Sequence, residues 1–368
     1  MKILFVTTLD LQIDTFHHRT IKYLADEGNI VDVATNGTKT WEGVHAKYTV
    51  PFHRNPLHPD NLKARNMLRK LIQENRYDII SCHSPSGGFF GRMAAKGLDV
   101  KVIYTAHGFH FWNGAPLVNR VVFKKMEALA AHWTDVLVTI NPEDYAAAQK
   151  FHYKPNGKAV LIPGVGVDVK GIKAMRTEKD VIRRELNIPE DAFVMYSIGE
   201  LIPRKNHIFV LETLEETFRS HPDLHYFIAG NGALTDELTQ WIREHNLTDQ
   251  IHLLGFRKDA RRLMYGMDLF LFPSKQEGLP VAVIEAMAAG LPVIASDIRG
   301  SHDLIQSGKN GMLYVPENKT EFMDAFQTLY TSTALRQKLG AQAAIDADAY
   351  SLEQVEPKIL ALYHGDGE

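Results

Sequence analysis

One segment has the residue types of an anion-binding helix start. EGLPVAVIEAMAAG (277–290) follows a short apolar run, and its first residues are predicted to open a helix. A proline in the first turn leaves neighbouring backbone N–H groups pointing outward, and a glycine lets a ligand approach the backbone closely. The positive end of such a helix suits a diphosphate. The residues predicted to bind it are Gly278, Leu279 and Pro280.

Two glutamates flank this predicted anion site. Glu277 lies in the loop before the helix, and Glu285 lies eight residues later, about two turns in. Both would repel phosphate, so we expect them to accept hydrogen bonds from sugar hydroxyl groups on either side of it. The alternative is a solvated loop glutamate and a helix-surface glutamate. The apolar neighbours of Glu285 argue against that alternative, because a buried, unpaired carboxylate costs several kcal/mol.

Two cations follow another apolar run, in YSIGELIPRKNH (196–207). Gly199 permits a tight turn, and Arg204 and Lys205 come just before an amphipathic stretch. At a ligand site they would neutralise the charge that builds up on a departing diphosphate. The alternative is a pair of solvated cations at the end of a loop.

Further strand exits contain glycine, at IAGNG (228–232) and LLGF (253–256). A glycine after a strand is often only a turn, but together these exits line one predicted sheet edge. The stretch from Gly255 to Arg257 would offer backbone groups to a nucleobase. The other predicted donor-binding residues here are Gly230, Phe256 and Ser274.

In the first half of the chain, TAHGFHFWNGAP (105–116) leaves a predicted strand directly into His107. We expect His107 to contact a reacting sugar, with a structural histidine as the alternative. Phe109 and Trp112 are predicted to stack on an acceptor sugar or to meet lipid, with a place in the core as the alternative. His107 and His110 have the spacing of metal ligands, but no third ligand lies nearby in the sequence, so no metal site is predicted.

Polar groups also follow two other predicted strands of the first half. DTFHHR (14–19) contributes Asp14 and His17, and SCHSPSGG (81–88) contributes His83. Each segment is predicted to hold an acceptor or a phosphate. The basic stretch 53–76 has six Lys and Arg against two acids, as either a lipid-binding helix or an ordinary surface helix would.

The elements that must position these groups are short apolar runs alternating with amphipathic stretches. Two such α/β series, joined near 161–169, predict two Rossmann-like, doubly wound parallel-sheet domains facing across a cleft. Ligands of such folds bind where the strands end, and the candidate residues fall in those loops. Predicted strands are 2–6, 30–34, 78–82, 101–105, 135–139, 193–198, 224–229, 251–254, 269–272 and 292–295. Predicted helices are 15–27, 61–75, 86–97, 115–133, 205–218, 233–246, 279–289 and 319–345.

Length, composition and charge limit the number of domains and the classes of protein to which the chain can belong. A chain of 368 residues fits two domains, and its single cysteine excludes an internal disulfide. The net charge of −3 divides into +6 over residues 1–170 (21 Lys and Arg, 15 Asp and Glu) and −9 over the rest (20 against 29). No G-x-G-x-x-G follows the first strand, no Walker lysine motif occurs, and no nucleic-acid footprint is visible. We expect a cytoplasmic protein, with peripheral membrane contact through 53–76 as an option.

The motifs, in order and spacing, resemble the retaining glycosyltransferases of family four, which have the GT-B fold. The resemblance rests on Glu277-x7-Glu285 together with GELIPRKNH, IAGNG, LLGF, GLPVIASDIRG and GKNGMLYVP. The stretch TAHGFHFWNGAP is similar to the subgroup found in bacterial exopolysaccharide and capsule synthesis. Two departures are Glu200, where many relatives have arginine, and LDLQIDTFHH in place of a Gly-Gly loop.

The resemblance implies roles for individual residues. Glu277 would hold the hydroxyls of the donor sugar and Glu285 the ribose, while Arg204 and Lys205 bind the diphosphate. His107 would contact the donor sugar near the reacting carbon. Asp14 and His17 would face the acceptor. The donor would be a UDP-linked hexose or N-acetylhexosamine and the acceptor a saccharide or polyprenyl-linked sugar, with configuration retained and without a metal or other cofactor.

The resemblance also divides the chain. An acceptor-side domain would span 1–165 and a nucleotide-sugar domain 166–346, with a closing helix in 347–368 that returns to the first domain. The alternatives are a GT-B sugar-nucleotide epimerase, which needs no acceptor, and a non-catalytic sugar-nucleotide-binding subunit.

Overall fold

The computed structural model describes residues 1–112 and 114–365. The chain forms two compact units. The first comprises Met1–Val165 and the segment that begins at Glu353, and the second comprises Gly166–Leu352. The final three residues of the predicted closing segment 347–368 lie outside the described part.

The first unit contains a parallel sheet with strand order β3-β2-β1-β4-β5-β6-β7. Its elements are β1 (Lys2–Leu9), α1 (Asp10–Gln12), a π-helical segment (Ile13–His17), α2 (His18–Asp26), β2 (Ile30–Asn36), β3 (Ala46–Thr49), α3 (Asp60–Asn75), β4 (Ile79–His83), α4 (Pro85–Ala95), β5 (Lys101–Ala106), α5 (Leu117–Ala131), β6 (Val136–Thr139), α6 (Pro142–Ala148) and β7 (Lys158–Leu161).

The second unit repeats this layout, with strand order β10-β9-β8-β11-β12-β13. Its elements are α7 (Val169–Ala174), α8 (Lys179–Glu185), β8 (Phe193–Ile198), α9 (His207–Ser220), β9 (Leu224–Ala229), α10 (Thr235–Glu244), β10 (Ile251–Gly255), α11 (Ala260–Leu263), a 3₁₀ turn (Met264–Gly266), β11 (Leu269–Phe272), α12 (Val281–Ala288), β12 (Val293–Ser296), α13 (Ser301–Leu304), β13 (Met312–Tyr314), α14 (Lys319–Thr331), α15 (Thr333–Asp346) and a 3₁₀ turn (Ala347–Tyr350). The last element of the chain, α16 (Leu352–His364), follows.

The last helix belongs to the first unit. Val355, Leu360 and Tyr363 of α16 are buried in the same apolar cluster as residues of β1. Nζ of Lys101 also donates to the carbonyl of Leu362 at 2.6 Å. Packing against the sheet therefore fixes α16 in the first unit.

The apolar runs predict every interior strand, and the structure confirms them. The strands that the runs miss are β3, β7 and β13, which all lie at the edges of their sheets. An edge strand is covered less completely than a central one, so its sequence need not be a continuous apolar run. The pattern of AKYT in β3 shows this, because none of its residues is buried.

One helix prediction is wrong in its extent. The sequence predicts a single helix over 319–345, but the structure has α14 and α15, separated at Ser332. Ser332 is extended, with φ −125° and ψ 94°, and its hydroxyl accepts from the backbone N–H of Leu335 at 3.3 Å. Serine stops one helix and caps the next because its side chain competes for backbone donors.

Candidate active site

In the second unit, three residues predicted to do chemistry form one cluster. Oε1 of Glu277 accepts a hydrogen bond from Nη1 of Arg204 and another, at 2.8 Å, from Nζ of Lys205. Nη1 of Arg204 also donates to the carbonyl of Gln276 at 2.9 Å. Two cations thus share one carboxylate oxygen, which leaves the cluster with a net positive charge.

The order of the strands explains why distant parts of the sequence meet here. Strands β8 and β11 are hydrogen-bonded neighbours, so the loops after them leave the same sheet edge side by side. The N–H of Lys275 donates to the carbonyl of Arg204 at 2.8 Å and joins the two loops directly. Nζ of Lys205 also lies 4.9 Å from the centroid of the Phe272 ring.

Glycine is required where the exits of β8 and β9 approach each other. Gly230 has φ +153°, and a Cβ built on it would lie 1.8 Å from the carbonyl oxygen of Gly199. The N–H of Gly230 donates to the carbonyl of Gly255 at 2.8 Å. The predicted glycines therefore do come together, as a tightly packed backbone layer beside Lys205, whose Cε would lie 3.2 Å from a Cβ on Gly199.

The predicted helix start differs in detail. Pro280 does not lie in the first turn but precedes it as the N-cap residue, with φ −78° and ψ 103°, and α12 begins at Val281. The extended ψ of Pro280 places this residue, and Gly278 before it, outside the helix. Among the described residues, the N–H groups of Gly278, Leu279, Val281 and Ala282 have no hydrogen-bond acceptor. These free donors are what an anion site at this end requires.

Glu285 is buried, with 5% of its surface exposed, and it is not unpaired. Burial raises the pKa of its carboxyl group, and the attraction of Arg261 opposes that rise. Nε of Arg261 donates to Oε1 of Glu285 at 2.7 Å. Sequence reasoning missed Arg261, although a basic residue in the helix after the LLGF exit was a usable signal.

The remaining predicted donor-binding residues differ in how exposed their side chains are and in whether those side chains already have hydrogen-bond partners. The ring of Phe256 is 73% exposed, beside the left-handed Gly255, so its face is open to a planar ligand. The guanidinium of Arg257 makes two 2.7 Å hydrogen bonds to the carboxylate of Asp259. The Oγ of Ser274 is buried and has no partner among the described residues.

In the first unit, His17, His83 and His107 lie together. Their ring centroids are 3.8 Å apart for His17 and His83, and 5.4 Å apart for His17 and His107. Burial lowers the pKa of His107 to about 4, and burial together with repulsion from neighbouring histidines holds the pKa of His17 well below its usual value. Burial therefore disfavours the charged form of all three side chains.

The other predicted acceptor-side residues are dispersed. Asp14 does not join the histidines, because its Oδ1 accepts from Nζ of Lys39 and from Nε1 of Trp41, both at 2.6 Å. Phe109 is 2% exposed and stacks on Phe111 with centroids 4.6 Å apart, so its ring has a core position, which was the alternative to acceptor stacking.

Comparison with known proteins decides the family. Residues 14–170 match the model described as Glycosyltransferase Family 4, and residues 178–346 match Glycosyl transferases group 1. The chain is 32% identical over 366 residues to EpsD of Bacillus subtilis, and the match covers 98% of this chain and 96% of that protein. The chain belongs to glycosyltransferase family 4.

Two further similarities bear on this glycosyltransferase. It is 31% identical over 288 residues to a UDP-Gal:α-D-GlcNAc-diphosphoundecaprenol α-1,3-galactosyltransferase of Escherichia coli, covering 77% of this chain and 74% of that enzyme. Anabaena HepE, solved with UDP and glucose, superposes with a TM-score of 0.78 at 19% identity, over 99% of this chain and all of HepE. Together with the two parallel-sheet units, this similarity shows the GT-B fold.

Two remaining predictions concern the surface of the glycosyltransferase. In the basic stretch 53–76, helix α3 buries Leu68 and Ile72, whereas Leu62 and Met67 are exposed, so its apolar side chains are divided between core and surface. None of the described helices has the length and apolar character needed to cross a membrane.

Trp112, which is predicted to stack on an acceptor sugar or to meet lipid, is partly buried. Its ring lies against Gly114, where an added Cβ would be 2.5 Å from the ring.

Proposed function

We propose that this glycosyltransferase moves a hexose or N-acetylhexosamine from a UDP-sugar to a saccharide or lipid-linked acceptor during surface polysaccharide synthesis. The observation that carries the proposal is the cluster of Arg204, Lys205 and Glu277 beside the free N–H groups that precede α12. The names of the relatives support the substrate classes, because one transfers galactose from UDP-Gal to a lipid diphosphate-linked sugar.

The second unit is the proposed donor site. The diphosphate would accept hydrogen bonds from the N–H groups of Gly278 and Leu279 and from the side chains of Arg204 and Lys205. Before the donor binds, Glu277 holds both cations in place. Because one carboxylate cannot neutralise two cations, a positive charge remains for the incoming diphosphate. Glu277 would then keep its other oxygen, Oε2, for a hydroxyl group of the sugar.

The nucleoside would bind along the same sheet edge. Glu285 would accept from the ribose hydroxyls, and the attraction of Arg261 opposes the rise in the pKa of its carboxyl group that burial causes. The exposed ring of Phe256 offers a face for the uracil base. The first unit, with its buried histidines, would hold the acceptor, and His107 is proposed to contact the donor sugar.

We propose transfer with retention of configuration. The acceptor hydroxyl would attack the anomeric carbon on the face that UDP leaves, as the bond from that carbon to the β-phosphate oxygen breaks. The hydroxyl proton would pass to the departing phosphate oxygen. Arg204 and Lys205 would stabilise the developing negative charge, so no metal ion is needed on the diphosphate.

The proposal is tested with the purified full chain, a panel of nucleotide sugars and an undecaprenyl-diphosphate-linked sugar acceptor. We expect an elongated lipid product, dependent on both substrates, only with UDP-linked donors. An altered sugar nucleotide formed without acceptor would instead identify an epimerase. Nucleotide-sugar binding without turnover, unaffected by Lys205→Ala, would identify a non-catalytic subunit. Lys275→Ala serves as the control, since Lys275 lies in the neighbouring loop but pairs with Glu317.

A further inference from the structure

Three histidines of the first unit converge from separate places in the sequence. His17 ends the π-helical segment after β1, His83 is the last residue of β4, and His107 follows β5. Strand β4 is hydrogen-bonded to both β1 and β5, so the three exits adjoin. One ring nitrogen from each histidine lies within 4.8 Å of those of the other two.

Each of these histidines has a buried ring nitrogen without a hydrogen-bond partner in the described structure. The atoms are Nε2 of His17, Nδ1 of His83 and Nε2 of His107. Leaving a buried polar atom unpaired costs roughly 1–3 kcal/mol, so three such atoms in one place need a physical reason. A metal ion that accepts a lone pair from each of the three nitrogens would remove this free-energy cost.

The chemistry of the three groups matches a metal ligand set. Each imidazole offers an unpaired ring nitrogen, and nitrogen of a neutral imidazole is a common metal ligand in proteins. Nε2 of His83 is bonded to Oγ of Ser81 at 2.9 Å, and that hydroxyl lies 2.7 Å from the hydroxyl of Tyr363. Outer contacts of this kind orient a ligating histidine and fix which nitrogen faces the metal.

Aromatic packing also restrains the rings. The ring of Phe5 stacks on His83 with centroids 5.8 Å apart, and Phe16 stacks on His107 at 5.0 Å. Cys82 cannot contribute a ligand, because it packs in the core cluster on the other face of β4. The set is therefore nitrogen only, which suits zinc and similar ions and not Mg²⁺ or Ca²⁺, whose ligands are oxygens.

We propose that His17, His83 and His107 form a three-histidine site for a divalent transition metal, with Zn²⁺ as the ion that fits best. Three protein nitrogens leave a fourth position open to water or a ligand. Zn–N bonds of about 2.0–2.1 Å place tetrahedral nitrogens about 3.4 Å apart, so the rings must close inward when the ion binds. His107 also lines a cavity of about 180 Å³.

The sequence predicts no metal site, because His107 and His110 had no third ligand nearby. In the structure the other two nitrogens come from His17 and His83, which lie 90 and 24 residues before His107 in the sequence. His110 is not part of the cluster. The three histidines belong to the first unit, and the proposed diphosphate cluster belongs to the second. The proposal shares His107 with the proposed function, where His107 contacts the donor sugar, but Zn²⁺ binding is measured without donor or acceptor, so the two proposals can fail separately.

The test measures metal binding without donor or acceptor. The full chain is stripped with a chelator, dialysed and titrated with Zn²⁺ by calorimetry, and Co²⁺ serves as a spectroscopic substitute. We expect one ion per chain and the visible absorption of tetrahedral Co²⁺. Binding should be lost in His17→Gln and His83→Gln and retained in His110→Gln, whose side chain lines the cavity outside the cluster.

A second, more conservative variant tests the site without replacing a ligand, so that a loss of binding is less easily explained by misfolding. Tyr363→Phe keeps the packing of α16 but removes the hydroxyl beside Ser81, and we expect it to weaken Zn²⁺ binding about 10-fold. Circular dichroism and thermal unfolding check that each variant is folded. The proposal is overturned if the folded wild-type chain takes up no ion, as it would if the gap held a water or a substrate hydroxyl. It is also overturned if His17→Gln and His83→Gln bind like the wild type, or if His110→Gln loses binding with them.

Discussion

Nζ of Lys205 and Oε1 of Glu277 are hydrogen-bonded at 2.8 Å, although 72 residues separate them in sequence. In the proposed phosphate site, a cation that pairs with a carboxylate is already positioned before the ligand arrives. Side-chain ordering, which otherwise opposes binding, is thus largely complete in the free protein.

Replacing Lys205 by alanine should slow transfer strongly. If the ammonium stabilises the departing diphosphate, its loss should lower kcat about 100-fold, with a smaller effect on the KM for the donor. Steady-state kinetics with a UDP-sugar measure both constants. Lys275→Ala should remain close to the wild type, and an equal loss in both variants would point to a general effect of lysine removal on this sheet edge.

Arg261 should govern the ribose contact through Glu285. Arg261→Met leaves a buried carboxylate without its cation, so the pKa of Glu285 should rise further and UDP affinity should fall by about 10-fold or more. The neighbouring Arg262→Met removes an exposed pair with Glu185 and is the matched control. Calorimetry with UDP and with 2′-deoxy-UDP completes the test, because a ribose contact predicts that the deoxy analogue is less affected by Arg261→Met.

Gly230→Ala should distort the exit of β8. The added Cβ would overlap the carbonyl of Gly199, and φ at this position is positive, so we expect a loss of about 2–4 kcal/mol in the free energy of unfolding. Gly28→Ala separates the effect of the positive φ from that of the steric overlap. Gly28 also has a positive φ, +85°, but no atom lies within 4 Å of the new Cβ. Urea unfolding should show a loss nearer 1 kcal/mol there. Equal losses would mean that the contact with Gly199 is unimportant.

His207 should make the stability of the protein fall in acid. Its side chain is buried, neither ring nitrogen has a partner in the described structure, and burial, helped by Lys205, lowers its pKa to about 4. His207 therefore becomes protonated near pH 6.5 in the unfolded chain, but only near pH 4 in the folded chain. Stability is complete above pH 6.5 and is lost as the pH falls, by about 1–2 kcal/mol between pH 7 and pH 5.

The comparison of wild type with His207→Gln isolates this contribution, because other buried histidines act in both proteins. The free energy of unfolding, measured in urea at several pH values, should depend less steeply on pH in the variant. Parallel curves for the two proteins would show that His207 is not held neutral by the fold.

The buried strands and the loops that follow them were predictable from the sequence, but the hydrogen-bond partners of individual side chains were not. The run LFLF of β11 fixes an interior strand, so the position of Glu277 after it follows from the sequence alone. The burial of Glu285 also follows from its apolar neighbours. Its partner Arg261 does not, because the spacing between α11 and α12 depends on the packing of the whole unit. The three histidines were individually visible, but only strand order brings them to one point.

The proposed function requires that Arg204, Lys205 and the backbone N–H donors before α12 bind a diphosphate. The most direct measurement is a calorimetric titration of the wild type and of Lys205→Met with UDP and with uridine. We predict that UDP binds the wild type far more tightly than uridine does, and that Lys205→Met removes most of this difference while uridine affinity stays constant. Equal UDP affinity in the two proteins, or no preference of the wild type for UDP over uridine, would contradict the claim.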